Sequence, residues 1–323
     1  MRRWNFVRAA AFICAAALMG GHASAQEWPT KPVKIIIGFQ PGGPSDVISR
    51  IVGDYLSKAW GQPIVVESRP GAAGNLAADL TAHAPADGYT MHLASMVVQS
   101  MYKAMYDKLN YDPEKDLVAV ARLTATPMVL EVNNHVPVKT YDEFVAYLKK
   151  DGAKLNFGSP GVGTLPHLAA ELYRARLGVG GVHVPYRGTA PFLDALLKNE
   201  VQWSVDVLGS VLAQKDKIRP FAVTAHQRIP DLPDVPTLAE LGVKDAEAYT
   251  TWILVGPSAM PKPLVDKIAA DVGKALADKA TLDRLRAGGI YASYAGPADT
   301  LAFLNAEREK WVPIIKANNI KAE

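Results

Sequence analysis

Three segments of this chain concentrate residues that suit holding an anion on backbone amides. The first is Phe39-Gln40-Pro41-Gly42-Gly43-Pro44-Ser45-Asp46. It lies between the strand-like run Val33-Lys34-Ile35-Ile36-Ile37 and residues with helical spacing. Two adjacent glycines let the backbone turn tightly and approach a ligand. Ser45 or Asp46 has the chemistry of a helix cap. The first N–H groups of a helix lack acceptors and lie at the positive end of its dipole, so this loop suits a carboxylate or phosphate. An ordinary capped turn uses the same residues, and the segment alone leaves both readings open. The second segment, Gly158-Ser159-Pro160-Gly161-Val162-Gly163-Thr164, repeats the physics, with hydroxyls at Ser159 and Thr164. Its glycines fit neither a dinucleotide fingerprint nor a P-loop. The third, Arg69-Pro70-Gly71-Ala72-Ala73-Gly74-Asn75, ends on an Asn placed either to cap a helix or to face a ligand. Two such loops in separate halves of the chain suit a carboxylate pinched from both sides.

The same inventory argues against catalysis. Ser159 stands between Gly158 and Pro160, which is not the Gly-x-Ser-x-Gly spacing of a nucleophile elbow. The seven histidines are scattered, and no His, Cys or carboxylate cluster has metal-ligand spacing. The expectation is a binding protein with no catalytic residue, metal or cofactor.

The elements that position these loops alternate. Helical spacing covers Asp46 to Ala59, Leu76 to Ala84, Pro166 to Leu177 and Ala190 to Leu197. Strand-like runs cover Val33 to Ile37, Pro63 to Glu67, Thr90 to Ala94, Lys154 to Phe157, Val182 to Val184, Val201 to Val207 and Ile218 to Thr224. This β-α-β-α order predicts mostly parallel sheets covered on both faces. Leu117 to Val132, apolar and interrupted at Pro127, reads as one crossing between lobes. The proline-rich stretch from Val223 to Pro236 reads as the other. A strand over Thr251 to Val255 follows, then helices over Pro263 to Ala277, Ala280 to Ala287 and Ala298 to Lys316.

The N-terminus reads as a cleaved secretion signal at 1–25. Arg2, Arg3 and Arg8 precede an apolar run from Ala9 to Met19, and Ala23-Ser24-Ala25 has the small-x-small pattern. The run is shorter than the ~20 residues a spanning helix needs. Cleavage removes three of the 35 basic residues and none of the 32 acidic ones, so the mature charge is zero. That excludes nucleic acid as a favoured partner. It also leaves anion binding to local dipoles. Cleavage also removes the single cysteine, Cys14, so no disulfide is expected.

Taken in order, these segments resemble the Bug family of periplasmic binding proteins, related to the substrate-binding TctC component of tripartite tricarboxylate transporters. The resemblance rests on Pro41 to Asp46, Glu67 to Asn75, Pro85-Ala86-Asp87-Gly88-Tyr89-Thr90, and Gly158 to Thr164 with His167-Leu168-Ala169. It continues through Val184-Pro185-Tyr186-Arg187-Gly188-Thr189-Ala190-Pro191, Leu232 to Thr237 and Pro257 to Pro263. It implies an α/β, bilobal type II periplasmic-binding-protein fold, with two doubly wound domains joined by a two-stranded hinge. The expected lobes are 26–124 with 227–323, and 125–226. The implied ligand is a small carboxylate, held by Phe39, Gln40, Gly42, Gly43, Pro44 and Asp46 on one side. Ser159, Gly161, Gly163 and Thr164 hold it on the other. Ala73, Asn75, Ser95, His167 and Asp206 are further expected contacts. His167 is equally placed to pack its helix, and Arg187 either to pair a second carboxylate or to sit exposed. The implied setting is the periplasm, as a monomer delivering ligand to transporter membrane subunits. A sensor kinase ectodomain is the alternative partner, and an enzyme on the same bilobal fold a weaker alternative.

Overall fold

The computed structural model describes residues 28–322, so the expected secretion signal lies outside the described residues. Two sheet halves share one long strand. In the first half, β1 (Val33–Ile37) pairs in parallel with β2 (Ile64–Ser68) and with β3 (Thr90–Ser95). Next come β9 (Tyr249–Pro257), antiparallel to β3, and then β4 (Leu117–Asn133). The second half repeats the scheme. There β5 (Asn156–Ser159) pairs in parallel with β6 (Val182–Pro185) and with β7 (Trp203–Val207). The far end of β4 lies against β7, with β8 (Ile218–Val223) on its other side. A short β10 (Ala292–Ala295) pairs β4 in the first half.

Strand β4 is therefore the element the two halves have in common. Leu117 to Pro127 pair with β9, and Met128 to Asn133 pair with β7 and β8. Pro127 does not interrupt the strand, contrary to the sequence reading. It occupies the last pair with β9, opposite Tyr249, where the ladder changes partner and a missing N–H costs little. The return connection is fastened there as well: Thr224 Oγ1 accepts from Met128 N–H at 2.8 Å, and Met128 O accepts from Thr224 N–H at 2.9 Å.

Helices cover both faces, as strands buried on both sides require. Helix α1 (Pro44–Trp60) packs Ile48, Ile51, Val52 and Leu56 onto β1 and β3, beside α9 (Lys262–Ala275) and α10 (Lys279–Ala287). Helix α2 (Asn75–Ala82) follows β2. Two short helices, α3 (Met96–Ser100) and α4 (Tyr102–Met105), follow β3. Their buried side chains belong to a core that also contains Phe144, Phe157, Tyr173 and Trp203 of the second half, and Trp311 and Ile315 of α11 (Pro297–Ala317). Helices α5 (Tyr141–Asp151) and α6 (Leu165–Leu177) cover that side of the second half. On its opposite face, α7 (Thr189–Leu197) and α8 (Leu208–Ala213) close a third cluster around Val129, Phe192 and Val223. Helix α5 was not foreseen, although Thr140 and Glu143 form a complete capping box at its start.

Candidate functional site

The first glycine loop leaves the end of β1 and enters α1. Gly42 has φ +89°, which favours glycine, and Gly43 is the residue before the helix with no side-chain cap. Asp46 does not cap α1. Its Oδ2 accepts from Gly42 N–H at 3.1 Å, and its Oδ1 accepts from Arg50 Nε at 2.9 Å. These bonds, with the Arg50 charge, outweigh burial and hold the Asp46 pKa below the ordinary carboxylate range. The Gly42 amide is thus occupied within the loop. Pro44 has no N–H, and the Gly43 and Ser45 amides make no hydrogen bond among the described residues. Gln40 is exposed, and Phe39 meets Trp252 edge to face at 5.8 Å.

The third loop buttresses the first. A Cβ on Gly38 would lie 2.5 Å from Gly74 Cα, so the two backbones touch and Gly38 has no room for a side chain. Ser68 Oγ donates to Phe39 O at 2.8 Å. Ala72 and Ala73 both adopt left-handed φ, 44° and 52°, an arrangement costing roughly 1–2 kcal/mol per residue. Three tyrosines from α4 and the chain after it secure this turn. Tyr102 and Tyr106 donate to the carbonyls of Ala73 and Ala72 at 2.5 and 3.0 Å, and Tyr111 donates to Asn75 Oδ1 at 2.9 Å. Asn75 therefore neither caps α2, which Gly74 precedes, nor keeps its carbonyl free. Ser95 caps α3, accepting from Val97 N–H at 3.4 Å.

The second glycine loop leaves β5 and enters α6 with the same plan. Gly163 has φ +74°, and its N–H donates to Nδ1 of His167, four residues on, at 3.1 Å. Thr164 Oγ1 donates to Gly161 O at 2.7 Å, and Gly161 N–H donates to Ser159 Oγ at 3.2 Å. Ser159 Oγ also lies 2.7 Å from His183 Nε2. The rings of His167 and His183 stack at 3.7 Å and 8°. Burial pushes the His167 pKa down to about 3 and that of His183 to about 4. In α6, Pro166 has no N–H, while Leu165 and His167 amides are left without acceptors, as at any helix start. Gly163 abuts the first half. A Cβ there would be 3.3 Å from Met105 Sδ in α4 and 3.4 Å from Ala322 Cβ.

Asp206 lies within β7 and is fully buried. Neither of its carboxylate oxygens has a hydrogen-bond partner among the described residues. Glu131, which the sequence reading did not single out, is its neighbour. Glu131 pairs with Ser204 in the β4–β7 ladder, so Glu131, Ser204 and Asp206 share one sheet face. Glu131 is also fully buried. Its Oε1 accepts from Ser204 Oγ at 2.7 Å, and its Oε2 has no partner among the described residues. Burial raises both pKa values, that of Asp206 to about 7, and the Asp206 charge raises Glu131 further. The Val207 N–H and the Ser210 hydroxyl approach Asp206 and oppose its rise without reaching hydrogen-bond geometry. Arg187 is exposed and forms no ion pair among the described residues.

Two surface grooves lie elsewhere. One of about 370 Å³ is lined by Tyr141, Val145, Lys149, Leu177 and Leu241, and one of about 180 Å³ by Lys103, Tyr106 and Tyr111. Neither includes a residue of the two glycine loops. No group of His, Cys, Asp or Glu among the described residues is arranged to hold a metal, and no described helix is long and apolar enough to cross a membrane.

Two sheet halves, each with a glycine loop at the carboxyl end of a parallel strand, give this chain the bilobal α/β fold of solute-binding proteins. This chain belongs to the tripartite tricarboxylate transporter family receptor, TctC, whose model matches residues 48–320. It is similar to Rpa4515 of R. palustris, solved with adipate, at 31% identity and TM-score 0.86 over 91% of this chain and 99% of that one. It is similar to MatC of Rhodopseudomonas palustris, solved with bound malate, at 30% identity and TM-score 0.83 over 89% and 100%. The periplasmic binding protein BugD matches at 28% identity and TM-score 0.84 over 92% and 100%. The family and these neighbours are solute-binding proteins, not enzymes.

Proposed function

We propose that this chain is exported to the periplasm, binds a small organic carboxylate as a monomer, and delivers it to membrane subunits of a tripartite tricarboxylate-type transporter. One observation carries the reading. Two helices of 17 and 13 residues, one in each half, begin at glycine loops whose N–H groups are not all used internally. Helix starts of that kind suit a carboxylate. The adipate and malate of two solved relatives have the same chemistry. The proposed lobes are 26–124 with 227–323, and 125–226, and closure is a hinge motion about β4 and the return connection.

On this reading the ligand carboxylate lies between the Gly43 and Ser45 amides and the Leu165 and His167 amides. Phe39, Gln40 and Ser95 form the first wall, and Ser159, Thr164 and Asp206 the second. A thermal-shift screen against mono- and dicarboxylic acids tests the reading, with calorimetry on the hits. A ligand at a hundred times its Kd stabilises the native chain by about 2.7 kcal/mol. If no organic acid shifts the melting temperature while sugars or cations do, the reading fails.

A further inference from the structure

The proton inventory of the second glycine loop assigns work to a residue outside the expected site, His183. A carbonyl oxygen has two lone pairs, and Gly161 O already accepts from Thr164 Oγ1 at 2.7 Å and from Thr164 N–H at 3.3 Å. The single Ser159 hydroxyl proton therefore goes to His183 Nε2 at 2.7 Å, although Gly161 O is also 3.0 Å away. Ser159 Oγ is left as acceptor for Gly161 N–H. His183 Nε2 is then an acceptor and its Nδ1 carries the proton. His167 is the reverse, because Gly163 N–H donates to its Nδ1 and its Nε2 carries the proton.

We infer that His183 and His167 are positioning residues that preset the Ser159–Thr164 loop for ligand, acting as a stacked pair of neutral imidazole acceptors in opposite tautomers. The inference rests on the carboxylate-binding reading only for what the loop is preset to do. His183 fixes the loop entry through Ser159 and Gly161, and His167 fixes its exit through Gly163. The stack makes the two acceptors one unit. Rings 3.7 Å apart and nearly parallel tolerate two neutral partners and forbid a proton on both, while burial disfavours a proton on either. The pair's surroundings favour neutrality. His183 also stacks on Phe157 at 5.2 Å, and Trp203 and Tyr173 lie in the same core. The charged groups facing the pair are Glu171, 3.9 Å from His167 Nε2, and Arg174, which is already paired with Glu171 at 2.6 Å. Each imidazole accepts within the loop through one ring nitrogen, so the nitrogens that hold the loop are not the ones that carry a proton. The ligand meets the amides these rings hold in place.

The test is nitrogen-15 NMR of the purified chain at pH 7, without ligand, on the unsubstituted chain and four variants. Asn places an amide oxygen near the former Nδ1, and Gln places one near the former Nε2. His167→Asn and His183→Gln therefore keep the acceptors, while His167→Leu and His183→Leu remove them. The unsubstituted chain should show a protonated Nε2 on His167 and a protonated Nδ1 on His183. Amide exchange should quicken by about tenfold at Gly163 in His167→Leu, as expected for losing its hydrogen bond, and also at Gly161 in His183→Leu, where the Ser159 hydroxyl that accepts from Gly161 N–H loses the partner that orients it. The Asn and Gln variants should restore protection to within about threefold. Adipate and malate, used as probes, should bind more weakly to the Leu variants and recover with Asn and Gln. Identical tautomers, or a charged imidazole at pH 7, overturn the inference even if a Leu variant fails to fold. Unchanged exchange at Gly161 and Gly163 in folded Leu variants overturns it too. If the unsubstituted chain binds neither acid, the carboxylate reading suffers alone, because tautomers and exchange are read without ligand.

Discussion

Two fully buried carboxyl groups with no counter-ion among the described residues, Glu131 and Asp206, make a quantitative prediction about pH. Asp206 has its folded pKa raised from an ordinary 3.8 to about 7 by burial. Glu131 is raised by burial and by the Asp206 charge. A raised acid holds a proton in the native chain that the unfolded chain has already lost. Stability therefore falls as pH rises from the unfolded value to the folded one, by about 1.4 kcal/mol per pH unit for each group. For Asp206 that amounts to roughly 4 kcal/mol between pH 4 and 7, with the slope ending near 7. Glu131 adds a slope of the same sign above its own unfolded value. No described cation offsets either loss, since neither carboxyl takes part in an ion pair.

Glu131→Gln isolates one of the two. The amide oxygen still accepts from Ser204 Oγ, and the side chain no longer titrates. Thermal unfolding of the original chain and the variant, followed by circular dichroism from pH 5 to pH 8, gives a double difference in which unrelated groups cancel. The variant should gain on the original chain as pH rises from 5, by up to about 1.4 kcal/mol per pH unit while Glu131 keeps its proton. At roughly 2–4 °C per kcal/mol for a chain near this size, that is a gap in Tm widening by up to about 3–6 °C per pH unit. Melting curves that stay parallel across pH, or a chain that grows more stable from pH 5 to pH 8, would refute the reasoning.

Two further predictions use glycines and one exposed cation. Gly163→Val places a β-branched residue at φ +74° against Met105 and Ala322, so the ligand-induced thermal shift should disappear. Arg187→Ala, at an exposed position, should leave that shift within about 1 °C of the original. The opposite ranking in calorimetry would sink the backbone account. Gly38→Ala drives a methyl into Gly74 Cα and should cost several times more stability than Gly42→Ala. At Gly42 nothing lies within 4 Å and only the left-handed backbone is strained, at roughly 1–2 kcal/mol. Equal denaturation midpoints would show that the close approach of loops one and three is not what forbids the side chain.

The strands and main helices were legible in the sequence because their burial is periodic and local. Val33 to Ile37 is apolar at every position but Lys34, and α1 carries its buried residues on one face. What was not legible depends on partners distant in the chain. Glu131 sits in Val-Leu-Glu-Val, where a lone charge reads as the outward position of a strand. Its burial follows from Ser204 and Asp206, more than 70 residues away, being placed beside it by β7. His183 gave no signal for the same reason, since its partners Ser159 and His167 belong to β5 and α6. The tyrosines at 102, 106 and 111 read as scattered aromatics, and only the fold turns their hydroxyls onto one loop. Helix α5 is the exception. Its capping box was visible in the sequence at Thr140 and Glu143.

The glycine loops show why motif and mechanism separate. In both halves a glycine with positive φ gives its N–H to the side chain four residues on, Gly42 to Asp46 and Gly163 to His167. Each helix also carries a proline in its first turn, Pro44 or Pro166. A glycine needed for its N–H could be replaced by any residue that kept the turn. One needed for its φ could not, whatever becomes of the amide. Here the amides of Gly42 and Gly163 are spent inside the loops, so the φ is the function. An anionic carboxylate and a neutral imidazole perform the same task, accepting one N–H. That task does not call for charge, and it leaves the next amides along each helix to meet the ligand.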